Sequence, residues 1–92
     1  MVKQMLEKTI EKKVCDYAKA KGWLTYKFSS PSQRGVPDRI FMKDGDTFFI
    51  EFKAPGKKPT KLQEKCHHDI RREGVDVWVV DSVDSGKLLI DA

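Results

Sequence analysis

The sequence predicts an α/β chain in the order α-β-β-β-α-β-α, a mixed sheet flanked by helices. Three features carry that reading. Apolar residues recur at helical spacing in two charged stretches, Lys3 to Lys21 and about Thr60 to Glu73. Between them Asp44-Gly45, a favoured pair for a type I′ turn, sits inside two apolar segments and marks a tight hairpin. Val75 to Val80 follows the second helix and reads as a strand, apolar on both faces over its last part and so central or well covered.

In the first helix Leu6, Ile10, Val14, Tyr17 and Ala18 form the apolar stripe, and Gly22 stops it. Lys19 and Lys21 in its last turn suit the helix dipole. Trp23 to Phe28 is a short strand, and Ser29 to Val36 a loop. Pro37 opens the next strand, a position that proline tolerates. Asp38 to Lys43 and Asp46 to Lys53 form the hairpin, and Ala54 to Pro59 is a basic, turn-rich connector. Thr60 caps the second helix, whose apolar stripe is Leu62, Cys66 and Ile70, and Gly74 ends it. Asp81 or Ser82 caps a last short helix with Val83, Leu88, Leu89 and Ile90. No repeat, low-complexity tract or linker interrupts this order, so residues 1–92 read as one domain.

A chain of 92 residues buries a modest fraction of its surface, and dimerisation would add to its stability. No apolar run approaches the roughly 20 residues needed to span a bilayer. Met1 to Lys13 is charged and helix-like, unlike a signal peptide. Cys15 and Cys66 are too few for a disulfide scaffold and fall at apolar helix positions, as reduced core residues of a cytosolic protein. The net charge is +4. Setting aside Glu7, Asp38 and Glu51 as candidate metal ligands turns +4 into +7 on the rest, which favours a polyanionic partner such as nucleic acid.

The turn gives the acids their meaning. A two-residue loop at Asp44-Gly45 pairs Lys43 with Asp46, and counting back pairs Arg39 with Ile50 and then Asp38 with Glu51. Directly opposed side chains have Cβ atoms about 5 Å apart. Two carboxylates that close repel, and one is driven to protonate unless a cation sits between them. Lys53 shares the face of Glu51. Glu51 lies in Phe48-Phe49-Ile50-Glu51-Phe52, where an ionised group is costly unless paired or bound to a cation. Two acids and an ammonium on one face suit a hard metal and attack on a phosphodiester.

Pro37-Asp38 followed by Glu51-x-Lys53 resembles the PD-(D/E)xK nuclease pattern. The fuller set, Gly35-Val36-Pro37-Asp38, Phe49 to Lys53 and Gln63, is similar to the virus-type replication-repair nuclease (VRR-NUC) group, whose relatives include archaeal Holliday-junction resolvases. The resemblance runs from about Glu7 to Val80. It implies a restriction-endonuclease-like fold and Mg²⁺ or Mn²⁺ held by Asp38, Glu51, the Phe52 backbone carbonyl and Glu7. It implies catalytic roles for Lys53, Gln63 and the same acids, and products with 5′-phosphate and 3′-hydroxyl ends. Glu7-x-x-Ile10 matches the group's first-helix pattern and is preferred to Glu11. The resemblance also implies a phage or bacterial cytoplasmic protein, a homodimer, and branched DNA as substrate, with Holliday junctions first. A nuclease of other specificity and a binding module without catalysis are the rival readings.

Ser29, Ser30, Gln33 and Arg34 precede Asp38, and Lys57, Lys58 and Lys61 follow Lys53. Flanking the acidic face, they are the candidates for phosphate contact, which positions a backbone without reading sequence. Cys66, His67, His68 and Asp69 do not match zinc-ligand spacing. His67 falls one turn after Gln63, within approach of the site or of DNA.

Overall fold

The computed structural model describes residues 6–92. Its order is α1 (Glu7–Ala20), β1 (Leu24–Lys27), β2 (Arg39–Lys43), β3 (Asp46–Phe52), α2 (Lys61–Arg72), β4 (Asp76–Val80) and α3 (Val83–Asp91). This is the predicted order. The helix start expected at Lys3 lies outside the described residues.

The four strands form one mixed sheet in the order β1-β2-β3-β4. β1, β2 and β3 are antiparallel neighbours, and β4 returns parallel to β3 after α2. The hairpin register is the one counted from the turn, from Lys43↔Asp46 to Arg39↔Ile50. Asp44 and Gly45 both have positive φ (50° and 87°), as a type I′ turn requires.

Strand alternation divides the sheet into two unlike faces. Phe48, Ile50 and Phe52 point to one side, where with Phe41, Val80 and Ile90 they meet Ile10, Val14, Cys15 and Ala18 of α1. Each large apolar side chain buried there contributes about 1.5–3 kcal/mol. α3 covers the same side, against α1, so closely that a Cβ on Gly86 would collide with Val14. Glu51 and Lys53 point to the other side, which α2 covers.

Three expectations need correction. Expected to be central or well covered, β4 is an edge strand, with Val77 and Val80 buried but Trp78 and Val79 44% and 40% exposed. Its apolar character reflects helices packed against it, α2 and α3, and not strands on both sides. The Arg71 guanidinium donates to the Val77 carbonyl, satisfying an acceptor on this edge strand. Second, Asp38 is not in β2: it occupies a bend just before it. Third, the buried residues of α2 are Cys66 and His67, while Leu62 is 43% exposed. The helix is turned from its apolar stripe toward the side that faces Glu51.

Candidate active site

The site forms where β3 ends. Glu51 is the last residue but one of β3 and is 3% exposed. Asp38 reaches it from the bend before β2. The Asp38 N–H donates to the Ile50 carbonyl at 3.1 Å, and the Phe52 N–H donates to Asp38 Oδ2 at 2.8 Å. A carboxylate oxygen has therefore taken the place of a backbone acceptor in the ladder. The predicted face-to-face Asp38–Glu51 strand pair is replaced by this arrangement, which still leaves the two carboxyls close enough to act on each other.

Electrostatics record that proximity. Burial raises the Glu51 carboxyl from 4.5 to about 7, helped by the neighbouring Asp38 charge and by Glu7, and opposed by Lys53. Burial also raises Asp38, opposed by the Phe52 N–H and Lys53 and reinforced by Glu11. Lys53 Nζ is 3.6 Å from Glu51 Oε2 and donates to Gln63 Oε1 at 2.8 Å.

Gln63 is held by the start of α2. Its backbone N–H donates to Thr60 Oγ1, and its Oε1 accepts from the Thr60 N–H at 2.9 Å, a reciprocal capping box. The same side chain then serves the site: Oε1 accepts from Lys53, and Nε2 lies 3.4 Å from Glu51 Oε2. Gly35, at φ 87°, lies against this helix start, where an added Cβ would come within 2.9 Å of the Leu62 carbonyl. Glycine there lets the loop before Asp38 and the first turn of α2 meet.

Asp38, Glu51, Lys53 and Gln63 are thus brought together as predicted from the sequence. Glu7 is less closely drawn in. It stands exposed in the first turn of α1, its charge felt by Glu51. Among the described residues no three His, Cys, Asp or Glu side chains converge on a single point, so Glu7 does not close a cluster with the two acids. Glu11 is engaged elsewhere, 2.8 Å from Arg39 Nε and 4.0 Å from Lys27. Phe52 buries its ring in the opposite core and gives its N–H to Asp38.

The phosphate-contact candidates sit on open surface: Ser29, Gln33, Arg34, Lys57, Lys58 and Lys61 are exposed and Ser30 is half-buried. The Gly56 N–H donates to Asp81 at 3.1 Å, tying the connector that bears Lys57 and Lys58 to the end of β4.

His67 is the residue the sequence underrated. It is 1% exposed, with Nε2 3.6 Å from Glu51 Oε1. Burial, then the Arg71 and Lys53 charges, hold its imidazole below the usual range, so the ring is neutral. The available signal was its spacing of one turn from Gln63.

No family model matches the chain. The chain is 42% identical over 84 residues to "Putative nuclease p44" of Acyrthosiphon pisum secondary endosymbiont phage 1, which covers 90% of each. A solved structure described as a VRR_NUC domain superposes with a TM-score of 0.85 at 30% identity, over 92% of this chain and 94% of that one. The chain belongs to the VRR_NUC family. A second solved structure, a VRR_NUC domain protein, shares the fold with a TM-score of 0.82 at 18% identity, over 97% of this chain and 88% of that one. Asp38, Glu51, Lys53 and Gln63 are therefore gathered at one end of β3 on a VRR_NUC fold. The donors present fit a hard divalent cation. Two carboxylates share a desolvated place, and Glu51 Oε1 has no hydrogen-bond partner there. No helix among the described residues is long and apolar enough to cross a membrane.

Proposed function

We propose that this VRR_NUC chain is a divalent-metal-dependent DNA endonuclease acting on branched DNA, four-way junctions first, as a homodimer in the cytoplasm. The observation that carries the reading is Glu51: a buried carboxylate pressed against Asp38, with Lys53 and Gln63 fastened to it. A structural acid has no reason to be kept beside a second one in a desolvated place, whereas a ligand does.

Asp38, Glu51 and the Phe52 carbonyl would hold Mg²⁺ or Mn²⁺, with the exposed Glu7 side chain turning in from the first turn of α1 to join them. When bound, the ion supplies positive charge to the scissile phosphate and acidifies water at neutral pH. The chain's own residues do the rest. Lys53 offers an ammonium that orients the attacking water and offsets charge on the phosphate. Gln63 fixes that ammonium, so Lys53 is aimed before substrate arrives. Ser29, Ser30, Gln33 and Arg34 on one side, and Lys57, Lys58 and Lys61 on the other, hold the DNA backbone by its phosphates.

A four-way junction has two-fold symmetry, which a C2 dimer matches. Trp78 and Val79 on the edge strand and Leu88 on α3 supply exposed apolar surface for such a contact. Trp23, the other tryptophan, is committed to the core by its edge-on contact with Phe48.

The test is a time course on labelled four-way junction, flap, nicked and linear duplex with Mg²⁺ or Mn²⁺. Lys53→Ala and Asp38→Asn should each slow cleavage by at least about 10²- to 10³-fold. Paired symmetric cuts in the junction are the expected pattern. Cleavage of flaps or linear DNA instead would discard the junction specificity, and DNA binding without cleavage of any substrate would sink the nuclease.

A further inference from the structure

Two polar atoms buried without a hydrogen-bond partner confront each other across β3 and α2: Glu51 Oε1 and His67 Nε2, 3.6 Å apart. The third such atom among the described residues, Thr25 Oγ1, belongs to β1. A buried donor or acceptor left bare is costly, so two that face each other fit best as partners. A neutral imidazole carries one N–H, and the hydrogen bond it makes selects the nitrogen. Toward an ionised Glu51, as a cation would meet it, a proton on Nε2 gives Oε1 a donor, whereas a bare Nε2 sets lone pair against lone pair. Closing 3.6 Å to the usual N–H···O distance of about 2.9–3.0 Å needs roughly 0.6–0.7 Å of side-chain movement.

The same helix holds the other oxygen. Gln63 and His67 are one turn apart on α2, and Gln63 Nε2 lies 3.4 Å from Glu51 Oε2. One carboxylate thus has two oxygens, each faced by a side chain of α2.

We propose that His67 is a positioning residue for Glu51: its Nε2–H, given to Oε1, sets the rotation of the carboxylate and so the direction in which that carboxylate meets a divalent cation. The inference rests on the metal-nuclease reading above. His67, 1% exposed beside Glu51, is shut off from solvent and acts through the acid. Partners that orient a ligating group commonly matter to metal affinity by 10- to 100-fold.

Two measurements on the full chain decide it. Long-range ¹H–¹⁵N correlation spectra at pH 8, where Glu51 is mainly ionised, read the His67 tautomer with and without Mg²⁺, and Nε2–H should be present in both. Calorimetry with Mg²⁺ reads affinity: His67→Met should weaken binding about 10-fold or more, and His67→Gln, which keeps an N–H donor, should restore most of it. An Nδ1–H tautomer in a wild type that binds Mg²⁺ would overturn this inference alone. So would loss of the Nε2 proton on adding Mg²⁺, the mark of direct ligation, or equal affinity in His67→Met. No Mg²⁺ heat in the wild type would overturn both the metal reading and this inference. If His67→Met does not fold, the wild-type tautomer and the His67→Gln titration still decide.

Discussion

The two faces of the sheet are built on opposite terms. Toward α1 and α3, Phe41, Phe48, Ile50 and Phe52 sit among aliphatic side chains with hardly any exposure. Toward α2, the same strand buries a carboxylate beside an imidazole, with a lysine and a glutamine at the rim. Successive residues of β3, Ile50, Glu51 and Phe52, serve these two faces in turn. The period of two in a strand thus separates the part that holds the fold from the part that does chemistry. Stability should reside mainly on the first face, and activity on the second at some cost to stability.

Gln63→Glu probes that division most strongly. Glutamate serves a capping box as well as glutamine, so the start of α2 should keep its stability. It would, however, set a third carboxylate beside Glu51 and draw Lys53 away from it. Cleavage should fall at least about 10-fold, with a modest loss of thermal midpoint from the added repulsion. A large drop in midpoint instead would show that the α2 face is structural and would blur the contrast.

Gly86→Ala tests the other face. The new methyl group must displace Val14, and the overpacking should cost about 1–3 kcal/mol in urea unfolding. Cleavage per folded molecule should stay at the wild-type level; if it fell in step with stability, the two faces would be mechanically coupled.

The third effect is electrostatic and appears only as pH changes. Glu51 titrates near 7 in the folded chain, against 4.5 for an ordinary glutamate. The folded state therefore keeps a proton that the unfolded state has released. Its contribution is fully present below about 4.5 and is lost as pH rises toward about 7. Urea midpoints of metal-free wild type and Glu51→Gln should diverge over that window, the variant ending more stable at pH 8 by up to about 3 kcal/mol. Parallel pH curves would mean that Glu51 is not strained by its surroundings.

The hairpin was legible because its turn pair admits few geometries. Asp44-Gly45 set the register, and every pair from Lys43 to Arg39 followed. The count failed one step later, at Asp38, where a side-chain oxygen substitutes for a backbone one; no periodicity reports such an exchange. α2 was harder to read. Its stripe of Leu62, Cys66 and Ile70 marks the face that hydrophobicity would bury, yet Gln63 and His67 turn inward because Glu51 gives them partners. That reason lies on another strand. β4 misled in a similar way, because helices packed against it make an edge look like a centre.

The parallel return of β4 also sets an order of events. Asp38 and Glu51 are brought together by the hairpin, whose formation takes microseconds, whereas the Lys53 N–H donates to the Val80 carbonyl of β4. Gln63 and His67 come later, when α2 docks and β4 pairs with β3 across the longer connection. Until then the two acids are bathed in water and scarcely feel each other. Their repulsion grows as α2 docks and water leaves, so a cation that relieves it should stabilise the docked molecule.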